Sequence, residues 1–131
     1  QKMKSRLKTL TSRSNGWGYA KRKQKLREYI IGWIGYYHLA EMQHFLVKTD
    51  EWLRRRIRIC IWKAWKKVKI KVTNLIKCGI NKGKAYEWGN TRKSYWRIAD
   101  NFILHRAITK ENLRKAGYVT LMGEYLEWHP K

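Results

Sequence analysis

A dense run of basic and aromatic side chains occupies residues 50–69, with the sequence DEWLRRRIRICIWKAWKKVK. On a helix, at about 100° per residue, its apolar side chains form one stripe, and its cations and indoles form the opposite face. The apolar stripe comprises Leu53, Ile57, Cys60, Ile61, Ala64 and Val68. The opposite face carries Arg54, Arg55, Arg58, Trp62, Trp65 and Lys66. Guanidinium groups bind phosphate oxygens and indole rings stack on unpaired bases, so the pattern predicts a phosphate-binding face.

The simpler interpretation of that face is a core helix whose lysines and arginines are merely solvated. The distribution of charge favours phosphate binding, because no acidic residue lies between Glu51 and Glu87 while that interval contains twelve Lys or Arg residues. An ordinary solvated helix mixes charge signs and gains pairs between residues four apart. Here like charges repel one another, and we expect an anionic partner to relieve the repulsion.

The composition of the 131-residue chain points to the same kind of partner. Its hydrophobic fraction of 44% is ordinary, and its length suits one domain or one and a half. Its net charge of +22 predicts a polyanion, with nucleic acid as the first candidate and an anionic membrane surface as the second. Aromatic residues make up 14% of the chain, and their flat rings are suited to stacking on unpaired RNA bases. No apolar run approaches the roughly 18 residues of a membrane-spanning helix. A membrane surface is also disfavoured, because the indoles of the 50–69 helix lie on its cationic side and its apolar stripe is needed for the core, so we expect no membrane partner.

The residue pattern does not favour catalysis. Asp50 and Asp100 are the only aspartates, so a Mg²⁺ site of clustered carboxylates is not expected. Cys60 and Cys78 lack a CxxC spacing, which favours two buried free thiols in a reducing compartment over a zinc site or a disulfide. We therefore expect the chain to bind without catalysing a reaction, and to hold no cofactor or metal of its own.

Helices must position these residues, and the sequence predicts an all-α fold. The predicted helices span residues 1–12, 19–37, 50–69, 71–78, 82–89, 90–99, 101–107, 110–116 and 121–127. Asp50 is the predicted N-cap of the central helix, and Asn81, Thr109 and Thr120 are the predicted N-caps of later ones. Gly79 and Gly117 stand where helices should end.

The predicted helix over residues 19–37 contains two glycines that lie together on one side. Its apolar face comprises Leu26, Tyr29, Ile30, Trp33 and Tyr37. Gly32 and Gly35 each cost about 1 kcal/mol relative to Ala in a helix interior. They are explained either by a kink or tight helix packing, or by a bare patch that a nucleic-acid backbone can approach.

Three segments carry a family resemblance: residues 53–67 (LRRRIRICIWKAWKK), residues 90–99 (NTRKSYWRIA) and residues 113–119 (LRKAGYV). They resemble, in the same order, three signatures of the maturase-specific domain of group II intron-encoded reverse transcriptases. Residues 10–16 (LTSRSNG) and 31–37 (IGWIGYY) are similar to the thumb, or domain X, of the same proteins. The resemblance covers nearly the whole chain.

The resemblance implies a thumb helical bundle over residues 1–47, a small multi-helix maturase-specific domain over residues 48–128, and a tail over residues 129–131. The parent protein would be an RNA-directed DNA polymerase whose fingers and palm, with the catalytic Mg²⁺, lie outside this chain. The implied partners are group II intron RNA, an RNA–DNA template–primer duplex, and the fingers and palm of the parent. We expect a bacterial cytoplasmic ribonucleoprotein, or an organellar one.

The resemblance also implies roles for individual residues. Intron RNA would be bound by Arg54, Arg55, Arg58, Trp62, Lys63, Lys66, Lys67, Lys69, Arg92, Lys93, Trp96 and Arg97. The template–primer duplex would contact Lys21, Arg22, Lys23, Lys25, Gly32, Gly35 and Tyr36. The alternative is a helical module that binds structured RNA or duplex DNA in general, without intron specificity.

Overall fold

The structure is a computed structural model that describes residues 2–12, 16–65, 67–90 and 102–129. Those residues form eight α-helices and no β-strand, which confirms the all-α prediction. The helices are α1 (Lys2–Leu10), α2 (Tyr19–Tyr37), α3 (Gln43–Ala64), α4 (Val68–Lys77), α5 (Lys82–Gly89), α6 (Phe102–Ala107), α7 (Lys110–Lys115) and α8 (Leu121–Trp128). Residues 91–100, most of the predicted helix over 90–99, lie outside the described residues.

The chain divides into two compact units, and the boundary falls inside α3. Unit 1 comprises Gln1–Arg54 together with Arg114–Lys131, and unit 2 comprises Arg55–Leu113. The division into a thumb over residues 1–47 and a maturase-specific domain over residues 48–128 concerns family segments, and it stays a prediction.

The core of unit 1 contains the apolar faces of α1, α2 and α8, with α1 packed on α2 and α2 on α8, and α3 adds Leu46 and Leu53. The period of three and four residues places the buried side chains of each helix on one face. Those side chains are Met3, Leu7 and Leu10 from α1, Leu26, Ile30 and Ile34 from α2, and Leu121 and Tyr125 from α8.

The bounds predicted for α2 and α5 are confirmed, and those of α1, α6, α7 and α8 are confirmed to within two residues. Three of the four predicted N-caps, Asn81, Thr109 and Thr120, are confirmed too. The Asn81 side chain accepts from the Lys84 N–H at 2.9 Å, and the Thr109 and Thr120 hydroxyls accept from N–H groups three residues on. Local sequence fixes these ends, because each cap satisfies a backbone donor of its own first turn.

The prediction for the central helix was wrong in its bounds and in its exposed face. Helix α3 begins seven residues before Asp50 and ends at Ala64, so Asp50 is not its N-cap. The buried face rotates toward Ile59 and Trp62, while Ala64 and Val68, assigned to the apolar stripe, are exposed. Arg58 is also buried. Tertiary contacts decide which side of the helix is covered, and the helical period alone cannot supply them.

Helices α4 and α5 pack closely in unit 2. Helix α4 starts at Val68 rather than at 71, and it ends in a Schellman turn, with Gly79 at φ +93° and the Ile80 N–H donating to the Leu75 carbonyl at 3.0 Å. A methyl group on Gly89 would lie 2.5 Å from Val72 Cγ2. The glycine therefore permits the close approach of α5 to α4.

Both cysteines are free, as predicted. Cys60 is buried and Cys78 is half-buried. Burial raises the pKa of the Cys78 thiol, because the thiolate loses hydration. Such a thiol is a weaker nucleophile at neutral pH than an exposed one.

Candidate nucleic-acid interface

Unit 1 carries a cationic surface on α1 and the first half of α2, here called the α1–α2 surface. Residues 1–25 contain nine Lys or Arg residues and no acid. The exposed cations of the two helices are Lys2, Lys4, Arg6, Lys8, Lys21, Lys25 and Arg27. Because the leucine faces of the same helices are buried, these long side chains point to solvent. Their charges therefore keep their hydration and incur no desolvation penalty.

Two indoles with nearby lysines lie in unit 1. The Lys21 ammonium lies 5.3 Å from the ring centroid of Trp17, and the Lys4 ammonium lies 5.2 Å from that of Trp52. Both tryptophans are half-buried, so part of each indole stays accessible. An indole ring beside an ammonium group can stack on the base of a nucleotide while the ammonium group contacts its phosphate.

The residues predicted to contact a template–primer duplex separate into two groups. Lys21, Lys25 and Tyr36 are exposed, and a methyl group on Gly32 or Gly35 would meet nothing within 4 Å. Among the residues that the structure describes, this open space excludes tight packing as the reason for these glycines. Positions 21, 25, 32, 35 and 36 share one face of α2 by the helical period.

Arg22 and Lys23 belong to the other group, because both bind the protein itself. Arg22 is buried and donates to the Ser12 carbonyl at 3.2 Å, so its prediction as an exposed contact was wrong. Lys23 is half-buried, donates to the Ala116 carbonyl at 2.8 Å and lies over the Tyr118 ring. These cations hold loops and helix ends of unit 1.

Along α3, the predicted RNA-binding residues differ in exposure. Arg54 and Arg55 are half-buried and Lys63 is exposed, whereas Arg58 and Trp62 are almost fully covered. The prediction that Arg58 and Trp62 lie on an exposed cationic face was therefore wrong.

The burial of Arg58 and Trp62 has a structural explanation within unit 2. Arg58 Nε donates to the Ile108 carbonyl at 2.8 Å, just past the end of α6. Trp62 packs beside Trp65, with ring centroids 6.0 Å apart, and under the Lys71 ammonium at 4.8 Å. Partial burial lowers the pKa of Lys71.

Unit 2 carries a second cationic surface, here called the α3–α4 surface, on the end of α3 and the start of α4. Its exposed lysines are Lys63, Lys67 and Lys69, with Trp65 half-buried among them. Lys66, Arg92, Lys93, Trp96 and Arg97 lie outside the described residues, and their predicted role in RNA binding stays a prediction.

The site prediction omitted the cations of α1 and both lysine-flanked indoles, Trp17 and Trp52. The excess of charge in residues 1–25 was the available signal for the cations. The pairing of Lys4 with Trp52 could not be found that way, because 48 positions separate them in sequence.

Within the described part of the chain, no group of three or more His, Cys, Asp or Glu residues has the arrangement of a metal site. The helices there are also too short or too polar to cross a membrane.

The helical fold and the two exposed cationic surfaces define a strongly basic all-α protein suited to a polyanionic ligand. A family model described as "Group II intron, maturase-specific domain" matches residues 1–79, more than half of the chain. The chain therefore belongs to the group II intron maturase-specific domain family. A comparison with curated proteins gave no match. The match begins at residue 1 and runs through α4, across both predicted segments. The assignment of residues 1–47 to a thumb stays a prediction.

Proposed function

We propose that this chain binds group II intron RNA through the α1–α2 and α3–α4 surfaces and thereby promotes splicing of the intron. The observation that carries the proposal is the family membership of a chain whose matched residues 1–79 contain both surfaces. Phosphate contacts from exposed Lys and Arg supply affinity, and half-buried indoles supply stacking on unpaired bases.

The proposed contribution to splicing is a shift of the RNA conformational equilibrium. A protein that binds the folded intron more tightly than its alternatives raises the population of the folded form by the difference in affinity. The RNA would remain the catalyst. We expect no metal or cofactor in this chain, and we place it in a ribonucleoprotein of the bacterial cytoplasm or of an organelle.

Within the same proposal, the exposed face of α2 contacts a template–primer duplex of a parent reverse transcriptase. Lys21 and Lys25 would contact phosphates, and Tyr36 would lie at the edge of the contact. The open positions at Gly32 and Gly35 support it, because a backbone without side chains admits a duplex closely. The fingers and palm of the parent would be the neighbouring protein partners.

A salt-titrated competition tests the proposal with the whole chain. The labelled ligand is a structured group II intron RNA, and the competitors are tRNA and an RNA–DNA duplex of equal length. A preference of roughly a hundredfold for the intron supports intron-specific recognition. Equal affinity for all three ligands contradicts intron specificity and favours the general structured-RNA or duplex binder.

Two groups of variants localise the binding. Replacing Lys63, Lys67 and Lys69 with Ala should reduce the slope of log K against log salt by about 0.7–0.9 for each lost phosphate contact. The matched control is Lys110→Ala with Lys115→Ala, which removes exposed cations elsewhere. A control that lowers the slope as much per lysine would show that net charge, rather than the α3–α4 surface, determines binding.

A further inference from the structure

Unit 1 contains a region with no Lys or Arg, in contrast to the rest of this basic chain. The region comprises residues 38–47 and 117–129 and is here called the acidic–aromatic surface. Its charged side chains are Glu41, Glu124 and Glu127. In a chain of net charge +22, such a region is unsuited to binding phosphates.

Three contacts join the two segments of the acidic–aromatic surface. The Tyr125 hydroxyl donates to the Ala40 carbonyl at 3.1 Å, and His129 Nε2 donates to the His38 carbonyl at 2.6 Å. The His38 ring stacks on Trp128, with centroids 3.9 Å apart and planes 16° from parallel. The end of α8 is thus fixed against the turn between α2 and α3.

Beside these contacts lies an open cavity of about 810 Å³. Its lining combines apolar side chains with an acid and two histidines, and the chain segments before and at the start of α3 supply most of it. The lining residues are Leu39, Glu41, Met42, Gln43, His44, Phe45, Tyr125 and His129. A cavity of this size holds a large apolar side chain with room to spare.

Large apolar side chains are exposed on the acidic–aromatic surface, and one of them, Leu39, lines the cavity. Leu39 is 85% exposed, Trp128 is 53% exposed and Leu126 is 45% exposed. Grouped apolar exposure of this kind marks an interaction site, because leaving these groups in water forgoes about 25 cal/mol per Å² of apolar surface.

We propose that the acidic–aromatic surface docks a basic segment of a partner protein, whose apolar anchor enters the cavity while its Lys or Arg residues pair with Glu41 and Glu127. Charge selects this occupant, since the region offers carboxylates and no cation to the partner. The cavity and Leu39 supply the apolar contact that buried interface anchors need. The proposal concerns surfaces other than the α1–α2 and α3–α4 surfaces, so it does not depend on intron binding.

The probe is a fluorescent synthetic amphipathic peptide of Leu and Lys, compared with a peptide in which Glu replaces each Lys. Fluorescence anisotropy is measured with the whole chain at physiological salt, where the Debye length of about 8 Å screens the remote lysines. We expect the Leu/Lys peptide to bind the acidic–aromatic surface. The affinity of the Leu/Glu peptide for the same surface should be at least about tenfold lower.

Two sets of variants locate the peptide. The first variant is Leu39→Ser, and the second combines Glu41→Lys with Glu127→Lys. Each should lower the affinity for the Leu/Lys peptide about tenfold, as the loss of an interface anchor does. The matched controls are Tyr86→Ser and Glu87→Lys, an exposed aromatic residue and an exposed acid of unit 2, and they should leave affinity unchanged. Circular dichroism verifies that each variant is folded.

Three outcomes would overturn the proposal. They are an absence of Leu/Lys peptide binding, equal weakening by the unit 2 controls, and a loss of Leu/Glu peptide affinity in Leu39→Ser as large as the loss of Leu/Lys peptide affinity. Intron RNA affinity of Leu39→Ser gives an independent readout. We expect it to be unchanged, and a loss of RNA affinity without loss of peptide affinity would show that this surface binds RNA instead.

Discussion

The two units bury charged side chains of opposite sign on the same helix, α3. In unit 1, the Asp50 carboxylate accepts from the Leu121 N–H at 2.8 Å and from the Met122 N–H at 3.0 Å, at the start of α8. In unit 2, the Arg58 guanidinium donates to the Ile108 carbonyl at 2.8 Å, just past the end of α6. Each charge lies at the helix end whose partial charge it complements.

The comparison shows that the residue type alone does not reveal whether a charged side chain on a basic helix binds a ligand or the protein's own backbone. Asp50 and Arg58 satisfy backbone groups of distant helices, which would otherwise be buried without partners. Cations such as Lys67 and Lys69, by contrast, are exposed at the start of α4. Exposure, rather than position in the basic run, separates the charges with a structural role from those proposed to bind RNA.

The largest effect is expected from Asp50→Ala. The substitution leaves the Leu121 and Met122 N–H groups without their acceptor and should lower the free energy of unfolding by about 2–4 kcal/mol. Urea denaturation measures it. Glu51→Ala is the matched control, because Glu51 is exposed on the same helix and should change stability by less than about 0.5 kcal/mol. Equal effects of the two would refute a capping role for Asp50.

Arg58→Met tests the unit 2 half of the comparison. Met retains much of the apolar stem but leaves the Ile108 carbonyl without the Arg58 donor, so we expect a loss of about 1–3 kcal/mol in the free energy of unfolding. Lys69→Met is the control in the same unit, and because the Lys69 side chain is exposed its substitution should leave the free energy of unfolding nearly unchanged. A gain of stability in Arg58→Met would show that the buried guanidinium is not stabilising.

Glycines extend the comparison of the two units. Gly89→Ala in unit 2 should lower the free energy of unfolding by about 1–2 kcal/mol, since its methyl would overlap Val72. Gly32→Ala in unit 1 should raise it by about 0.5–1 kcal/mol, because the methyl meets open space and alanine favours the helix. Thermal and urea unfolding measure both, and effects of the same sign would contradict the packing difference between α2 and α5.

The smallest effect separates structural from binding charges in the RNA assay. Arg58→Met should leave the salt slope of intron RNA binding unchanged, whereas Lys63→Ala should lower it by about 0.7–0.9. The slopes are compared at a temperature where both variants are fully folded. A lower slope for Arg58→Met would show that this arginine reaches phosphate after all.

The parts of the fold that follow from local sequence could be predicted, as the bounds of α2 and the Asn81 cap illustrate. The orientation of α3 could not, because it depends on partners 71 residues from Asp50 and 50 residues from Arg58. The candidate site divides in the same way. The resemblance implied RNA-binding roles for Lys63 and Lys69, which are exposed, whereas the burial of Trp62 and the pairing of Lys4 with Trp52 needed the tertiary structure.

The discontinuous sequence of unit 1 sets the order in which the protein can be completed during synthesis. Residues 1–54 leave the ribosome before residues 55–113, yet they need Arg114–Lys131 to complete their unit. At 5–20 residues per second, synthesis from Arg55 through Lys131 takes about 4–15 s. Throughout it, the apolar side of α2 lacks α8 and the Asp50 carboxylate lacks the backbone N–H groups of Leu121 and Met122. Unit 2, contiguous in sequence, has all of its residues first, and unit 1 is complete only once its second segment, Arg114–Lys131, has also been made.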